Sequence, residues 1–470
     1  MTPIERMFDP ETFRENGHAL IALLADHLAA SLQGDIPVLR WQNPAQADSD
    51  WQAPLPQHPG ITPAALFQKF RDQILPGGLA IHHPRNLGHQ VATPLPMAAL
   101  CDLFAALTNQ AMAVYETGPA ATLVERQVIR WLAALLGWQD AAGVLTSGGA
   151  QANLTALLAA RQQAADCDVW KAGVAAGRPL RILAGEHAHY SISRAAGIMG
   201  LGTDAVVKVD ADRDGRMSMP ALIAAHRQHI DHGHLILAVV ANAGCTATGS
   251  IDPLAEIGGY CRQHRLWFHV DGAHGASALL SQRHCGKLQG IALADSMVWD
   301  GHKLLYMPAA VSAVLFRNPL HSYQAFAQEA SYLFQGRSDA DEAFNVSYRT
   351  LECTKRMMGL KLWAAFSLYG VDGLAALVDR AFDNAQLLAS KLQAAEDFEL
   401  LMRPQTNIVC FRHGRADQAA LRRRVVESGA FHLTQVGIHG DTWLRTTLMN
   451  PFSGEAEFDA LLAALREAGR

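Results

Sequence analysis

Charge is scarce in this chain, and positive charge is not in excess. Charged residues make up 18 % of its 470 positions, with 39 Lys and Arg against 44 Asp and Glu, a formal net charge of −5. No chain-wide positive field exists to draw phosphate backbones or anionic lipid, so nucleic acid is not expected as a partner. Long apolar runs are lacking too: the stretch Leu235 to Ala241 is among the longest. That is far short of the ~20 residues that span a bilayer, and no membrane association is expected. Glu5, Arg6, Asp9, Glu11, Arg14 and Glu15 interrupt the apolar stretch that a secretory signal requires. Cysteine is limited to seven scattered residues, an odd number with no C-x-x-C pair. Neither a disulfide framework nor a zinc knuckle is indicated, and reduced thiols in a cytoplasmic protein are the expectation.

What is abundant is apolar surface to bury: half of the residues belong to the apolar set. Disorder is thereby excluded, and the length fits about three domains or one large layered domain with appendages. Residues 9 to 33 open with Asp9-Pro10-Glu11 and place Phe13, Leu20, Leu23, Leu24, Leu28 and Leu32 near a 3.6 period, which predicts an amphipathic helix. Pro54, Pro56, Pro59 and Gly60 make residues 48 to 62 read as an extended connector. Helical patterns dominate from about 64 to 137, the last ending at Gly137, a residue suited to a left-handed cap.

From Gly143 to Arg317 short apolar runs alternate with helical patterns. The runs are 143–146, 181–184, 235–241, 266–270, 296–299 and 312–316. Apolar on both faces and separated by helices, they predict an α/β fold with a mainly parallel central sheet covered by helices. After Gly370 the pattern changes to a long helix (373–395), a strand (407–412), a helix (418–428), a strand (443–448) and a closing helix. The organisation read from this is an N-terminal helical segment over 1–80, a large α/β domain over 81–369, and a small C-terminal α+β domain over 370–470.

Three short segments carry chemistry. Asp300-Gly301-His302-Lys303 places a lysine just past an apolar strand, where α/β sheets bind ligands. Among Val298, Trp299, Leu304, Leu305 and Tyr306 its amine would lose hydration and become a nucleophile suited to a Schiff base, although strand-end lysines also simply reach water. Thirty-two residues earlier, His269-Val270-Asp271-Gly272-Ala273 ends another strand in a carboxylate. Such an acid can hold a pyridinium nitrogen protonated, or can cap the next helix. Thr146-Ser147-Gly148-Gly149-Ala150 follows a strand and opens a helix, so its free N–H groups can bind phosphate, or form an ordinary turn.

In that order, glycine-rich turn, strand-end acid and strand-end lysine, the chain resembles the group II pyridoxal-phosphate-dependent amino-acid decarboxylases. That family includes glutamate, cysteine-sulfinate, diaminobutyrate and aromatic amino-acid decarboxylases, and the chain looks closest to the glutamate-decarboxylase-like branch. The resemblance runs from Phe13 to Pro451. It implies the fold type I pyridoxal-phosphate transferase fold, bound pyridoxal 5'-phosphate, and a homodimer. It further implies decarboxylation of an L-amino acid to its amine through an imine on Lys303.

By the same resemblance, Asp271, followed closely by Ala273, would pair with the ring nitrogen and His189 would stack on the ring. Ser147, Gly148, Gly149 and Ala150 would face the phosphate with Asp300 and His302, and Thr246 would lie near the ring. Tyr332, in Ala330-Ser331-Tyr332-Leu333-Phe334-Gln335, would return a proton to the α-carbon. Arg445 would hold the substrate carboxylate, and Thr93, in a segment beginning at His83-Pro84-Arg85, would line the substrate pocket. Read alone, His189 is equally a core histidine, Tyr332 a packing aromatic and Arg445 a strand-end charge.

Three positions depart from the family pattern: Asp300-Gly301 stands where relatives commonly have Asn-Pro, and Ala150 where they have a hydroxyl. The missing hydroxyl would remove one phosphate contact, and Asp300 would add negative charge near the phosphate unless a partner balances it. Competing readings are transamination or aldol cleavage on the same fold and, from another class, a metal-binding protein built on His226, His229, His232 and His234. Glutamate-like acids, diamino acids and aromatic amino acids all remain open as substrates.

Overall fold

The computed structural model describes residues 2–326, 342–414 and 416–470. They form two compact units, one comprising Gln90–Ala385 with Met402–Ile408, the other Met1–His89, Gln386–Leu401 and Val409–Arg470.

The larger unit is built on seven strands, β1 (Ala142–Thr146), β2 (Leu180–Gly185), β3 (Val206–Val209), β4 (Leu235–Asn242), β5 (Phe268–Asp271), β6 (Ser296–Asp300) and β7 (Ser312–Phe316), in the order β1-β7-β6-β5-β4-β2-β3. Strands β3, β2, β4, β5 and β6 run parallel, and the apolar runs of β2, β4, β5 and β6 are buried along nearly their full length, as expected of a sheet covered on both faces. The β7 strand instead pairs antiparallel with both β6 and β1. The sheet is thus mainly parallel, as expected, and a fully buried apolar strand such as β7 has no polar face to reveal its direction in the sequence.

Against the sheet lies the helix Gly149–Ala164. Every residue from Ala152 to Arg161 is buried, and Ala152, Ala156, Ala159 and Ala160 let its backbone come close to the strands. Registers Asn242↔Asp271 and Asp271↔Val298 bring the carboxyl ends of β4, β5 and β6 level. Chemistry-bearing residues at those ends therefore meet at one edge.

The helix Pro119–Leu135 ends before Gly137, which adopts φ +73° as the left-handed cap requires. The apolar helix Gly359–Ala394 is two helices joined at Gly370, where φ is 63°.

In the other unit, β8 (Phe398–Leu400), β9 (Ile408–His413), β10 (Thr434–Ile438) and β11 (Asp441–Thr447) form a sheet of order β10-β11-β9-β8. Helices Gln418–Glu427 and Glu455–Ala468 bury Leu421, Val425, Phe458, Leu461 and Leu465. The helix Pro10–Gln33 forms as its periodicity predicts, but buries only Leu23 and Ser31. Residues Pro44–Trp51 are helical, capped by Asn43, so the extended connector begins only after Trp51.

Candidate active site

The carboxyl ends of β4, β5 and β6 and the start of the helix Gly149–Ala164 border a cavity of about 290 Å³. Asp271, Ala273, Asp300, His302 and Lys303 line it from the strand ends, and Gly148, Gly149 and Ala150 from the turn. His189 and Thr246 complete the set that the sequence brings together, and Asn153, Asn242, Cys245 and His274 also line the space.

Lys303 lies in less apolar surroundings than its sequence neighbours suggest. Its Nζ is 2.9 Å from Asp300 Oδ2, and the side chain is 15 % exposed. Burial alone would raise the Asp300 carboxyl, but Lys303, His302 and the hydroxyl of Ser312 outweigh it and hold the group below the usual carboxylate range. The negative charge that Asp300 brings is therefore balanced within the site.

Glycine is required at position 149: a Cβ there would stand 2.9 Å from Asp300 Oδ1. As the first residues of their helix, Gly149 and Ala150 have N–H groups with no intrahelical acceptor, beside the positive end of the helix dipole.

Asp271 is buried, with Oδ1 accepting from the Ala273 N–H at 3.2 Å and Oδ2 from Asn153 Nδ2 at 3.0 Å. Asn153 Nδ2 also donates to Ser191 Oγ at 2.9 Å, which in turn is 2.9 Å from His189 Nδ1. Burial pushes the His189 imidazole down, Lys303 adds to this, and Asp271 opposes it. Behind Asp271, the fully buried His269 bonds Asn153 Oδ1 through Nε2 and Ser296 Oγ through Nδ1, and burial pushes it down to about 4.

These supporting residues escaped the sequence reading, although two periodicities signal them. Asn153 is four residues after Gly149, hence on the same helix face, and His269 is two before Asp271, hence on the same strand face.

Other expected residues are not among those lining the cavity. Ser147 turns its hydroxyl to Gln151 Oε1, 2.5 Å away, and Thr93 is buried outside the lining. Arg445 belongs to the other unit, where it is buried in β11 with Nη1 3.3 Å from Thr434 Oγ1. Tyr332 lies outside the described residues. Of the four histidines weighed as metal ligands, His226 bonds Tyr260 and His229 bonds His234. Among the described residues no three His, Cys, Asp or Glu side chains gather as a metal site.

The donor set suits pyridoxal phosphate: an amine, a buried carboxylate, free N–H groups at a glycine-rich helix start and an imidazole around one cavity. Residues 44–414 match the family model for the pyridoxal-dependent decarboxylase conserved domain. The chain is 32 % identical to cysteine sulfinic acid decarboxylase of Mus musculus, covering 92 % of this chain and 91 % of that one. It is 33 % identical to L-2,4-diaminobutyrate decarboxylase of Rhizobium meliloti, over 89 % of this chain and 84 % of that one. The crystal structure of the mouse cysteine sulfinic acid decarboxylase superposes with a TM-score of 0.91 at 28 % identity, covering 98 % of this chain and 99 % of that one.

Proposed function

The chain belongs to the pyridoxal-dependent decarboxylases and is an amino-acid decarboxylase that uses pyridoxal phosphate, and from that premise we propose the roles of its residues and the class of its substrate. When bound, the cofactor supplies an aldehyde that condenses with amines and a pyridinium ring that accepts the electron pair of a broken carbon–carboxylate bond.

Lys303 would be the amine that holds the cofactor covalently, and its place in one cavity with Asp271, His189 and the Gly149 turn is the observation that carries this assignment. Asp271, held by Asn153 and Ala273, would keep a proton on the ring nitrogen. The N–H groups of Gly149 and Ala150, with His302, bind the phosphate. His189 and Thr246 would stand by the ring, and Arg445, on the family resemblance alone, would receive the substrate carboxylate. Tyr332 donates the proton that completes the amine.

The substrate we propose is an L-amino acid with a short polar side chain, acidic or amino-terminated. Support comes from the two relatives just described, whose names specify cysteine sulfinate and 2,4-diaminobutyrate. A screen of amino acids for carbon dioxide release tests it: turnover of such acids is expected, and exclusive turnover of aromatic amino acids would reject it.

We further propose a homodimer in a reducing, cytoplasmic setting. Met97, Leu100, Leu103, Phe104 and Leu107 form a stripe along the helix Pro96–Thr108 and are 40–66 % exposed, while Phe13, Ile21 and Leu24 are exposed on Pro10–Gln33. Apolar stripes of this size mark interaction surfaces. All seven cysteines are free thiols, which suits a reducing compartment.

A further inference from the structure

A line of hydrogen bonds runs from the core of the larger unit to the cavity, and its end at Asp271 sets its direction. At the far end the Trp267 indole Nε1–H, which can only donate, is 2.9 Å from Ser296 Oγ. Ser296 is wholly buried, and its hydroxyl, which accepts from the indole and keeps a proton to give, lies 2.8 Å from His269 Nδ1. With Nδ1 accepting, the neutral ring carries its proton on Nε2 and donates it to Asn153 Oδ1 at 2.9 Å. The amide nitrogen of Asn153 then gives one proton to Asp271 Oδ2 and the other to Ser191 Oγ.

Ser191, having accepted from Asn153, turns its own proton to His189 Nδ1, which also faces the Ser191 backbone N–H at 3.3 Å. The near end decides the direction, because the Asp271 carboxylate can only accept and so turns the Asn153 amide nitrogen toward itself and its oxygen toward His269. The opposite tautomer of His269 would demand a donor from Asn153 and set the amide oxygen against the Asp271 carboxylate, a repulsive contact in a buried place.

We propose that Trp267, Ser296, His269 and Asn153 are positioning residues forming a one-way chain that fixes the Asp271 carboxylate and sets His189 as the Nε2–H tautomer. This deepens the reading of the cavity as the cofactor site and rests on it for the consequence at Asp271. His189 thus meets the cavity as a neutral imidazole, with its second nitrogen engaged behind it.

Two measurements on the holoenzyme test the chain. In protein labelled with 15N-ring histidine, the shifts of His269 and His189 should both report neutral Nε2–H rings. A proton on Nδ1 of either would overturn the proposal, and this readout stands even if the cavity takes a different cofactor. Ser296→Ala should weaken pyridoxal phosphate binding by about tenfold, the scale on which groups supporting a ligating side chain act, and should shift the pH midpoint of the visible band. Ser296→Thr, which keeps a hydroxyl, should restore both. A folded Ser296→Ala variant with affinity within twofold of the wild type and an unmoved midpoint would refute the chain; if that variant does not fold, the histidine shifts of the wild type decide. Wild-type protein that binds no pyridoxal phosphate would fail the cofactor reading instead.

Discussion

Lys303 Nζ and Asp300 Oδ2 stand 2.9 Å apart at the rim of the cavity, and the same carboxylate lies where a Cβ on Gly149 would touch it. Asp300 therefore faces both the amine and the turn assigned to the phosphate. Asp300→Asn removes a negative charge from beside the incoming phosphate and should tighten pyridoxal phosphate binding several-fold at neutral pH. Equilibrium titration followed by the visible band checks this. Weaker binding in the variant would mean that the charge on Asp300 is needed to hold Lys303 in place.

The strand-end positions of Asp271 and Lys303 were legible in the sequence because apolar runs bounded by helical patterns locate the carboxyl ends of strands. Partners reached through space were not: nothing adjacent in sequence joins Asn153 to His269, 116 residues away. The short strands β3, β8 and β10 also passed unnoticed, being three to five residues long and only partly buried, with little pattern to read.

Lys355 is buried against Glu125, and its Nζ also donates to the Leu145 carbonyl at 2.7 Å. Glu125 Oε1 receives the Leu145 N–H at 3.0 Å, so the pair ties the helix Pro119–Leu135 to β1. Lys355→Met leaves a buried carboxylate without its cation and should cost about 3–5 kcal/mol in urea unfolding. Adding Glu125→Gln should recover part of that loss.

Acid should destabilise the fold in a defined window. His269 and His432 are both pushed down to about 4, chiefly by burial, from an ordinary 6.5. Between those values the unfolded chain binds protons that the folded chain refuses, so stability rises with pH. Asp252, raised by burial to about 6, acts in the opposite sense as pH climbs from 3.8. Two protons against one leave a positive slope between about 4.5 and 6, which the other histidines lowered by burial, such as His83, His89 and His226, steepen. Urea unfolding at several pH values measures it, and His432→Gln should flatten it.

The stripe on Pro96–Thr108 predicts the effect of charge at its centre. Phe104→Glu with Leu107→Glu should convert a dimer into a monomer by light scattering while leaving the circular dichroism spectrum in place. A wild-type monomer would remove the dimer from the account.

If Tyr332 supplies the proton at the α-carbon, Tyr332→Phe should slow amine formation and raise the share of carbonyl by-product. Unchanged amine output would remove Tyr332 from the mechanism.

Borohydride reduction of the holoenzyme followed by peptide mass mapping tests the covalent attachment most directly. A pyridoxyl mass on the peptide containing Lys303, absent from Lys303→Ala, is the predicted result. A label on another lysine, or one that persists in the variant, would contradict it.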